Sequence, residues 1–369
     1  TILLAQDNQQ WLSTGNVSPK RALVGMLELS FDPRPKVRKR AQEAVQKILS
    51  NPPPSPLPVH SSAGLCADLA LQRLSSLIEN APKGKKNSTN KELNSATIHT
   101  LQLVTAITSA NAWPADKIDA LCDILLDVSR TLDQYLVSLA FAAFDGLFSS
   151  MAHEIDVERF TRVLDIIFDL KPPVDDTHLA AAWLAVVANG FQAFAKLLPQ
   201  VCLGKIEKIV PSIADFLAAE AKDIYVSALQ CLIAILTESI PDAYLLQPTA
   251  TNGVTPEIYE TVDEVITFLA EFIEKELLSI KYQHATREIL EVATAAVHKL
   301  RSRANPDFIA ILDTVGQWRS NEVENFPHNK EAEDFIAACV ANMGPEVVLS
   351  SLPLNLTNTE KNQPGRAWM

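Results

Sequence analysis

Residues Phe31 to Val45 read Phe-Asp-Pro-Arg-Pro-Lys-Val-Arg-Lys-Arg-Ala-Gln-Glu-Ala-Val, and the spacing inside and just beyond this run decides the fold. Val37, Ala41, Ala44, Val45, Ile48 and Leu49 fall at i, i+4, i+7, i+8, i+11 and i+12, a single apolar stripe on a helix predicted over 35–50. Pro35 suits the first helical position, where its missing N–H is no loss. Asp32 stands just ahead of the helix N-terminus, where a carboxylate is favoured. Lys36, Lys39, Arg40 and Lys47 point away from the stripe, with Arg34 just before it. The segment is an amphipathic helix with a basic outer face.

The same periodicity runs outward through the chain. Helices are predicted near 20–31, 61–81, 91–111, 115–130, 133–151, 156–170, 176–198, 202–219, 222–240, 256–279, 281–303, 306–321 and 328–343. No stretch alternates in the manner of strands joined by hairpin turns. The helices pair. Second members start near Pro35, Lys91, Asp133, Asp176, Asp223, Lys281 and His328, at intervals of 56, 42, 43, 47, 58 and 47 residues. Four of these six intervals match the roughly 40–47 residues of a HEAT or armadillo repeat. The two long ones hold proline-bearing insertions, near 51–59 and 241–255, and a further loop is expected at 82–90.

The fold class expected is all-α: a HEAT/armadillo-like α-solenoid, a right-handed superhelix of antiparallel helix pairs. It is read as one continuous array of about seven pairs over 1–369. Asp32 and Arg38, six residues apart, match the Asp and Arg that form a structural ladder between HEAT repeats. Weaker echoes occur at Asp133 and Asp223, each preceding an apolar helix. Neither end carries an evident cap, so the chain is read as a fragment of something longer.

Composition agrees with this architecture. Glycine numbers only 11 in 369 residues, less than half of ordinary usage of about 7%, which argues for helices and short turns over strands and phosphate-cradling loops. The net charge of −12 hides an asymmetry. Thr1 to Thr100 holds 13 Lys+Arg against 7 Asp+Glu, net +6, whereas Leu101 to Met369 holds 19 against 37, net −18. Phosphate-attracting and cation-attracting surfaces therefore lie in different parts of the chain. Cys66, Cys122, Cys202, Cys231 and Cys339 are scattered among apolar residues, without any C-x-x-C, and read as small core side chains in a reducing compartment. Leu179–Ala195 lacks charge but contains Asn189, Gly190 and Gln192, and it is read as a helix buried between neighbours and not as a membrane span.

Catalytic signatures are missing from the sequence. Seven histidines form no H-E-x-x-H or Cys/His cluster, and there is no G-x-S-x-G, G-x-G-x-x-G or P-loop. The expectation is a non-enzymatic protein without cofactor, metal, membrane or small-molecule substrate. The basic residues offer a track for nucleic-acid phosphates: Arg34, Lys36, Lys39, Arg40 and Lys47, extended by the loop lysines Lys83, Lys85 and Lys86. Without interleaved aromatics, such contacts would read backbone and not sequence. Lys299, Arg301 and Arg303 end a predicted helix, where cations suit the dipole, and are read as structural.

Near the C-terminus, Phe335 to Leu356 contains Met343-Gly-Pro-Glu-Val-Val-Leu349 and Pro353-Leu354, followed by Gly365-Arg-Ala-Trp368. This run, from Met343, Gly344, Pro345, Glu346, Val347, Val348 and Leu349 through Pro353 and Leu354 to Arg366 and Trp368, resembles the ribosomal RNA-processing protein 12 family. Pro33-Arg-Pro-Lys-Val-Arg-Lys39 resembles that family's N-terminal HEAT region. Read physically, Gly344 gives a left-handed cap, Pro345 starts a new helix, and Leu352 to Leu356 runs on as an apolar strap.

The resemblance implies a non-enzymatic scaffold of eukaryotic ribosome biogenesis, nuclear and nucleolar, acting in pre-rRNA processing on small-subunit precursors (the 90S pre-ribosome and pre-40S particles) and in their export. Its implied partners are pre-ribosomal RNA and ribosome assembly factors, with a transport GTPase or nucleoporins as further candidates. The alternative is a karyopherin-like nuclear transport receptor that binds a small GTPase and basic cargo through the acidic body. A regulatory HEAT scaffold is a third reading.

Overall fold

Proline opens helix after helix in this chain. The computed structural model describes residues 7–11, 13, 15, 18–54, 59–79, 91–131, 133–150, 157–320, 326–357 and 365–369. Asn8–Trp11 (α1) is a single turn, followed by Pro19–Leu29 (α2), Pro35–Leu49 (α3), Ala63–Glu79 (α4), Lys91–Thr108 (α5), Ile118–Ser129 (α6), Gln134–Ser150 (α7) and Val157–Asp169 (α8). Then come Leu179–Leu197 (α9), Pro199–Ala214 (α10), Lys222–Glu238 (α11), Pro256–Phe272 (α12), Thr286–Leu300 (α13), Ile309–Ser320 (α14), Asn329–Met343 (α15) and Pro345–Ser351 (α16). No strand occurs among the described residues. Pro19, Pro35, Pro199, Pro256 and Pro345 each take the first helical position, where a residue without N–H and with φ already near −65° costs nothing.

Side-chain caps complete several starts. The Ser18 hydroxyl accepts from the Arg21 N–H and Thr255 from the Ile258 N–H, each at 3.3 Å. Asp133 accepts from the N–H groups of Tyr135 and Leu136, and its other oxygen accepts from Asn94 at 3.0 Å. That carboxylate caps α7 and ties it to α5 in one arrangement. Asp176 caps α9 in the same way through His178 and Leu179.

The described chain divides into two compact units. One comprises Thr1–Pro172 with Ala185–Ala193, the other Pro173–Leu184 with Phe194–Met369. Within the first, α2 pairs with α3, α4 with α5 and α6 with α7, while the second members α3, α5 and α7 pack side by side. Within the second, α10 pairs with α11 and α14 with α15, and α11, α13 and α15 form the corresponding row. This two-layer arrangement of helix pairs is that of HEAT repeats, and the five pairs named here are among those read from the sequence.

The first unit's core is aromatic: Phe144 stacks on Phe148, Phe148 meets the Phe160 ring edge-on at 5.3 Å, and Phe168 lies 5.9 Å from Phe191. A Cβ at Gly190 would stand 2.7 Å from a Leu164 methyl and 3.2 Å from the Phe148 ring, so glycine there sets the packing distance. In the second unit Trp183 lies 5.5 Å from Phe216. The expectation for Leu179–Ala195 is met in these contacts: α9 is long and apolar enough to cross a membrane, yet Trp183, Val187, Phe191 and Phe194 are buried in protein. All five cysteines are buried, and none is in a disulfide.

Two local expectations are corrected. The helix predicted from 281 begins at Thr286, because Ile280–Ala285 is a 3-10 turn in which Tyr282 leaves helical geometry to bury its ring. Gly344 has φ +98° and ψ +148°, an extended mirror-image conformation open to glycine and not the left-handed helical cap. The 241–255 insertion is built: Asp242–Leu245 forms a 3-10 turn, Asn252 accepts from Thr249 and Val254 N–H groups, and Val254 is buried.

Candidate nucleic-acid interface on the second-helix row

The basic α3 segment is organised first by its own turn. The Asp32 carboxylate accepts from the Arg34 main-chain N–H at 2.8 Å and from the Arg34 guanidinium at two points, each 2.9 Å. The Arg34 side-chain and main-chain hydrogen bonds hold the Asp32 carboxyl down to about 2. Between Asp32 and Arg38 themselves the contact runs through the main chain. Arg38 donates from Nη1 to the carbonyls of Asp32 at 2.9 Å and Pro33 at 3.5 Å. The Asp carboxylate is already occupied by its nearer neighbour, and the carbonyls of the turn leave Arg38 its targets.

The exposed cations of α3 fall on two neighbouring stripes. Lys36, Arg40 and Lys47 lie at i, i+4 and i+11, one exposed stripe, with Arg40 joined to Glu43 at 3.4 Å. Lys39 belongs to the neighbouring stripe, with Glu43 and Gln46. That second stripe lines a groove of about 510 Å³ where α3 faces α5, formed by Arg38, Lys39, Gln42 and Gln46 opposite Gln102, Thr105 and Ser109. Arg34 is exposed but committed to Asp32. Lys83, Lys85 and Lys86 lie outside the described residues.

The groove has a positive surround. His99, on α5, is held below the ordinary imidazole value by burial first and then by the charges of Arg38 and Arg73. Arg73, on α4, stacks its guanidinium 3.9 Å over the Phe31 ring and stays exposed. Arg38 and Lys39 thus line the groove with Glu43, beside uncharged amides and hydroxyls able to donate to phosphate oxygens or ribose hydroxyls, while His99 and Arg73 stand within charge range of each other and His99 within that of Arg38. Arg73, Gln46, Gln102, Thr105 and Ser109 were not marked by the sequence, since a lone arginine and scattered polar residues form no motif. Repeat phase alone would have placed them together.

Lys299, Arg301 and Arg303 prove structural, with partners in the 241–255 insertion and α12. Lys299 meets Asp242 at 2.7 Å and Arg301 meets it at 3.7 Å. Arg303, its side chain only 8% exposed, donates to the carbonyls of Tyr244 and Tyr259 and to the Asp263 carboxylate, and lies 3.8 Å over the Tyr259 ring.

The C-terminal motif forms a clasp. Met343 and Val348 are buried, Val347 and Leu354 half-buried, and Glu346, Leu349 and Pro353 exposed. Ser351 donates to Asp313 on α14, and Leu352 seats its methyls against Gly316. Arg366 donates to the Ser320 hydroxyl and the Pro353 carbonyl, while its own N–H reaches the Leu354 carbonyl at 2.8 Å. Trp368 lies under Arg319, which pairs with Glu333 at 2.6 Å. Gly344, Pro345, Leu352 and Arg366 therefore fold the strap back onto α14.

Two family profiles match this chain. "Ribosomal RNA-processing protein 12, HEAT repeats" covers residues 218–369 and "RRP12-like, N-terminal HEAT repeats" covers residues 1–128. Ribosomal RNA-processing protein 12 of Saccharomyces cerevisiae is 40% identical over 382 residues, which take in 100% of this chain and 31% of that protein. The chain belongs to the ribosomal RNA-processing protein 12 family. The RRP12-like protein of Homo sapiens is 22% identical over 381 residues, covering 100% of this chain and 27% of that protein. This member of the family spans less than a third of the length of either relative. Among solved structures, importin beta aligns with TM-score 0.48 and 12% identity over 92% of this chain and 45% of that chain. Likenesses this slight bear on neither fold nor function.

Proposed function

We propose that this chain is a non-enzymatic HEAT-repeat scaffold in ribosomal RNA processing that holds precursor RNA by its sugar-phosphate backbone. The observation that carries the reading is the polar groove between α3 and α5, lined by Arg38 and Lys39 and close to His99, which feels the charges of Arg38 and Arg73. Lys36, Arg40 and Lys47 provide a second line of charge on the adjoining stripe. Family membership supports the ribosomal setting, since the yeast relative carries rRNA processing in its name. In the finer reading the protein works in the nucleus and nucleolus on small-subunit precursors, with assembly factors as protein partners, and accompanies the particles toward export.

The test is RNA binding as a function of salt. Each phosphate contact to a single strand contributes about −0.7 to the slope of log K against log salt. The K36E/K39E/R40E variant of the whole chain should bind a precursor-RNA fragment more weakly, with a slope shallower by about 2 if all three make contact. Bound phosphate should also raise the pKa of His99, read by its imidazole NMR signals. An unchanged slope together with an unmoved His99 would remove the groove as the RNA site.

A further inference from the structure

Among the described residues, Tyr135 is the one Phe, Tyr or Trp whose side chain is exposed. It stands in the first turn of α7, 70% exposed, while the others are buried or half-buried. The backbone that carries it is fixed. Asp133 accepts from the Tyr135 N–H at 3.0 Å, and Asn94 of α5 donates to the same carboxylate at 3.0 Å. Toward the other end of α7, a Cβ on Gly146 would stand 2.7 Å from the Thr108 hydroxyl oxygen. Residues 94 and 133 meet at one end and 108 and 146 at the other, so α5 and α7 run side by side in the same direction.

That register sets what stands beside the ring. Leu139 follows Tyr135 by one turn on the same face of α7, and it lines the groove of about 510 Å³ that Arg38, Lys39, Gln42, Gln102 and Thr105 also line. On α5, Ser95 and His99 occupy the matching turn, their side chains 3.4 Å apart. Across the row, cations stand on α3, amides and hydroxyls on α5, and Leu139 and Tyr135 on α7.

These three strips suit different parts of a nucleotide. Cations and amides suit phosphate and ribose. A tyrosine ring on fixed backbone suits the flat face of a base, a contact that phosphate binding does not require. A base inside a duplex already has both faces covered by its neighbours, so only an unpaired strand offers one.

We propose that Tyr135 is a stacking platform for a base of single-stranded RNA whose sugar-phosphate backbone lies in the groove between α3 and α5. The proposal rests on the reading of that groove as a phosphate site and adds the form of RNA it takes. Base identity matters little to such a contact, because every base has a π face.

The test measures binding of the whole chain to single-stranded oligoadenylate, to an abasic strand of the same length, and to an oligoadenylate–oligouridylate duplex. The wild type should bind oligoadenylate roughly tenfold more tightly than the abasic strand, and more tightly than the duplex. Tyr135→Ala should lose this preference, with the affinity for the abasic strand, the salt slope, the circular dichroism and the melting curve unchanged. Tyr135→Trp should keep it. The salt slope reads the cations and the base preference reads Tyr135, so the two readings fail separately. A wild type that binds the abasic strand or the duplex as well as oligoadenylate, or a Tyr135→Ala variant that keeps the preference, overturns the stacking role and leaves the phosphate groove standing. An equal loss of affinity for the abasic strand and oligoadenylate in Tyr135→Ala also overturns it, since the residue would then act on the fold. An unchanged slope in K36E/K39E/R40E removes the groove, and with it the strand path proposed here.

Discussion

Gln42 donates a hydrogen bond from its side-chain amide to the main-chain carbonyl of His99, 57 residues along the chain, at 3.2 Å. The same nitrogen donates to the Ser30 carbonyl at 3.1 Å, so one buried amide joins the end of α2, the middle of α3 and α5. Replacement by leucine leaves both carbonyls without that donor at a largely buried contact. The expected cost is about 1–3 kcal/mol, read from urea denaturation of the wild type and Gln42→Leu. A loss confined to a few tenths would show that water replaces the amide.

Gly316 and Leu352 form the tightest point of the C-terminal clasp. A Cβ on Gly316 would lie 2.5 Å from both Leu352 methyls and 3.1 Å from its Cγ. Gly316→Ala should lift the strap, at a cost of about 1–3 kcal/mol, and raise hydrogen exchange at the Leu352 N–H, which bonds the Val348 carbonyl at 2.7 Å. Adding Leu352→Ala should cost less in this background than in the wild type, because the contact is already lost. Full additivity of the two changes would contradict the packing described.

Arg303 is the pin of the 241–255 insertion. Lysine keeps its charge but cannot reach the Tyr244 and Tyr259 carbonyls and Asp263 together, nor stack flat on the Tyr259 ring. Arg303→Lys is expected to destabilise the protein by about 1–3 kcal/mol and to open the insertion to proteolysis before the rest of the chain. Cleavage at the wild-type rate would show that Val254 and Asn252 hold the insertion by themselves.

His60 and His99 set a pH dependence of stability. Burial lowers both imidazoles from 6.5, with Arg38 and Arg73 adding to the effect at His99. His60 accepts from the Ser62 N–H at 3.1 Å and packs its ring edge-on with Trp11 at 4.6 Å, a setting built for the neutral form. As pH falls below 6.5 the unfolded chain takes up these protons before the folded chain does. The associated stability is whole above that pH and declines below it. The urea midpoint should drop between about pH 7.5 and pH 5.5, and replacing both histidines by glutamine should shrink the drop. A drop of the same size in the double variant would place it on other groups.

The helices were legible through their apolar stripes and, at five of them, a proline in the first position. Pro35 and Pro256 mark starts that the structure keeps to the residue. The start of α13 was not legible, since Lys281-Tyr282 continues an apolar spacing while the buried Tyr282 ring demands a tighter turn. In the candidate interface the sign of the charge was readable and its distribution was not. One residue of offset sends Lys39 to the groove and Arg40 to the neighbouring stripe, and Arg34 is taken by an acid two residues away. The partners of Lys299 and Arg303 lie some 40 to 60 residues back, in the 241–255 insertion and on α12, beyond the range of any local pattern.

The five buried thiols carry a practical consequence. Burial pushes Cys66, Cys202 and Cys339 up to about 12, and Cys231 higher still, so these four present almost no thiolate at neutral pH in the folded protein. Each sulfur becomes available to a labelling reagent only when the helices around it part. Because Cys66 and Cys122 belong to the first compact unit and Cys202, Cys231 and Cys339 to the second, the protein carries its own set of opening clocks, and their separate rates can be read without adding a single foreign residue.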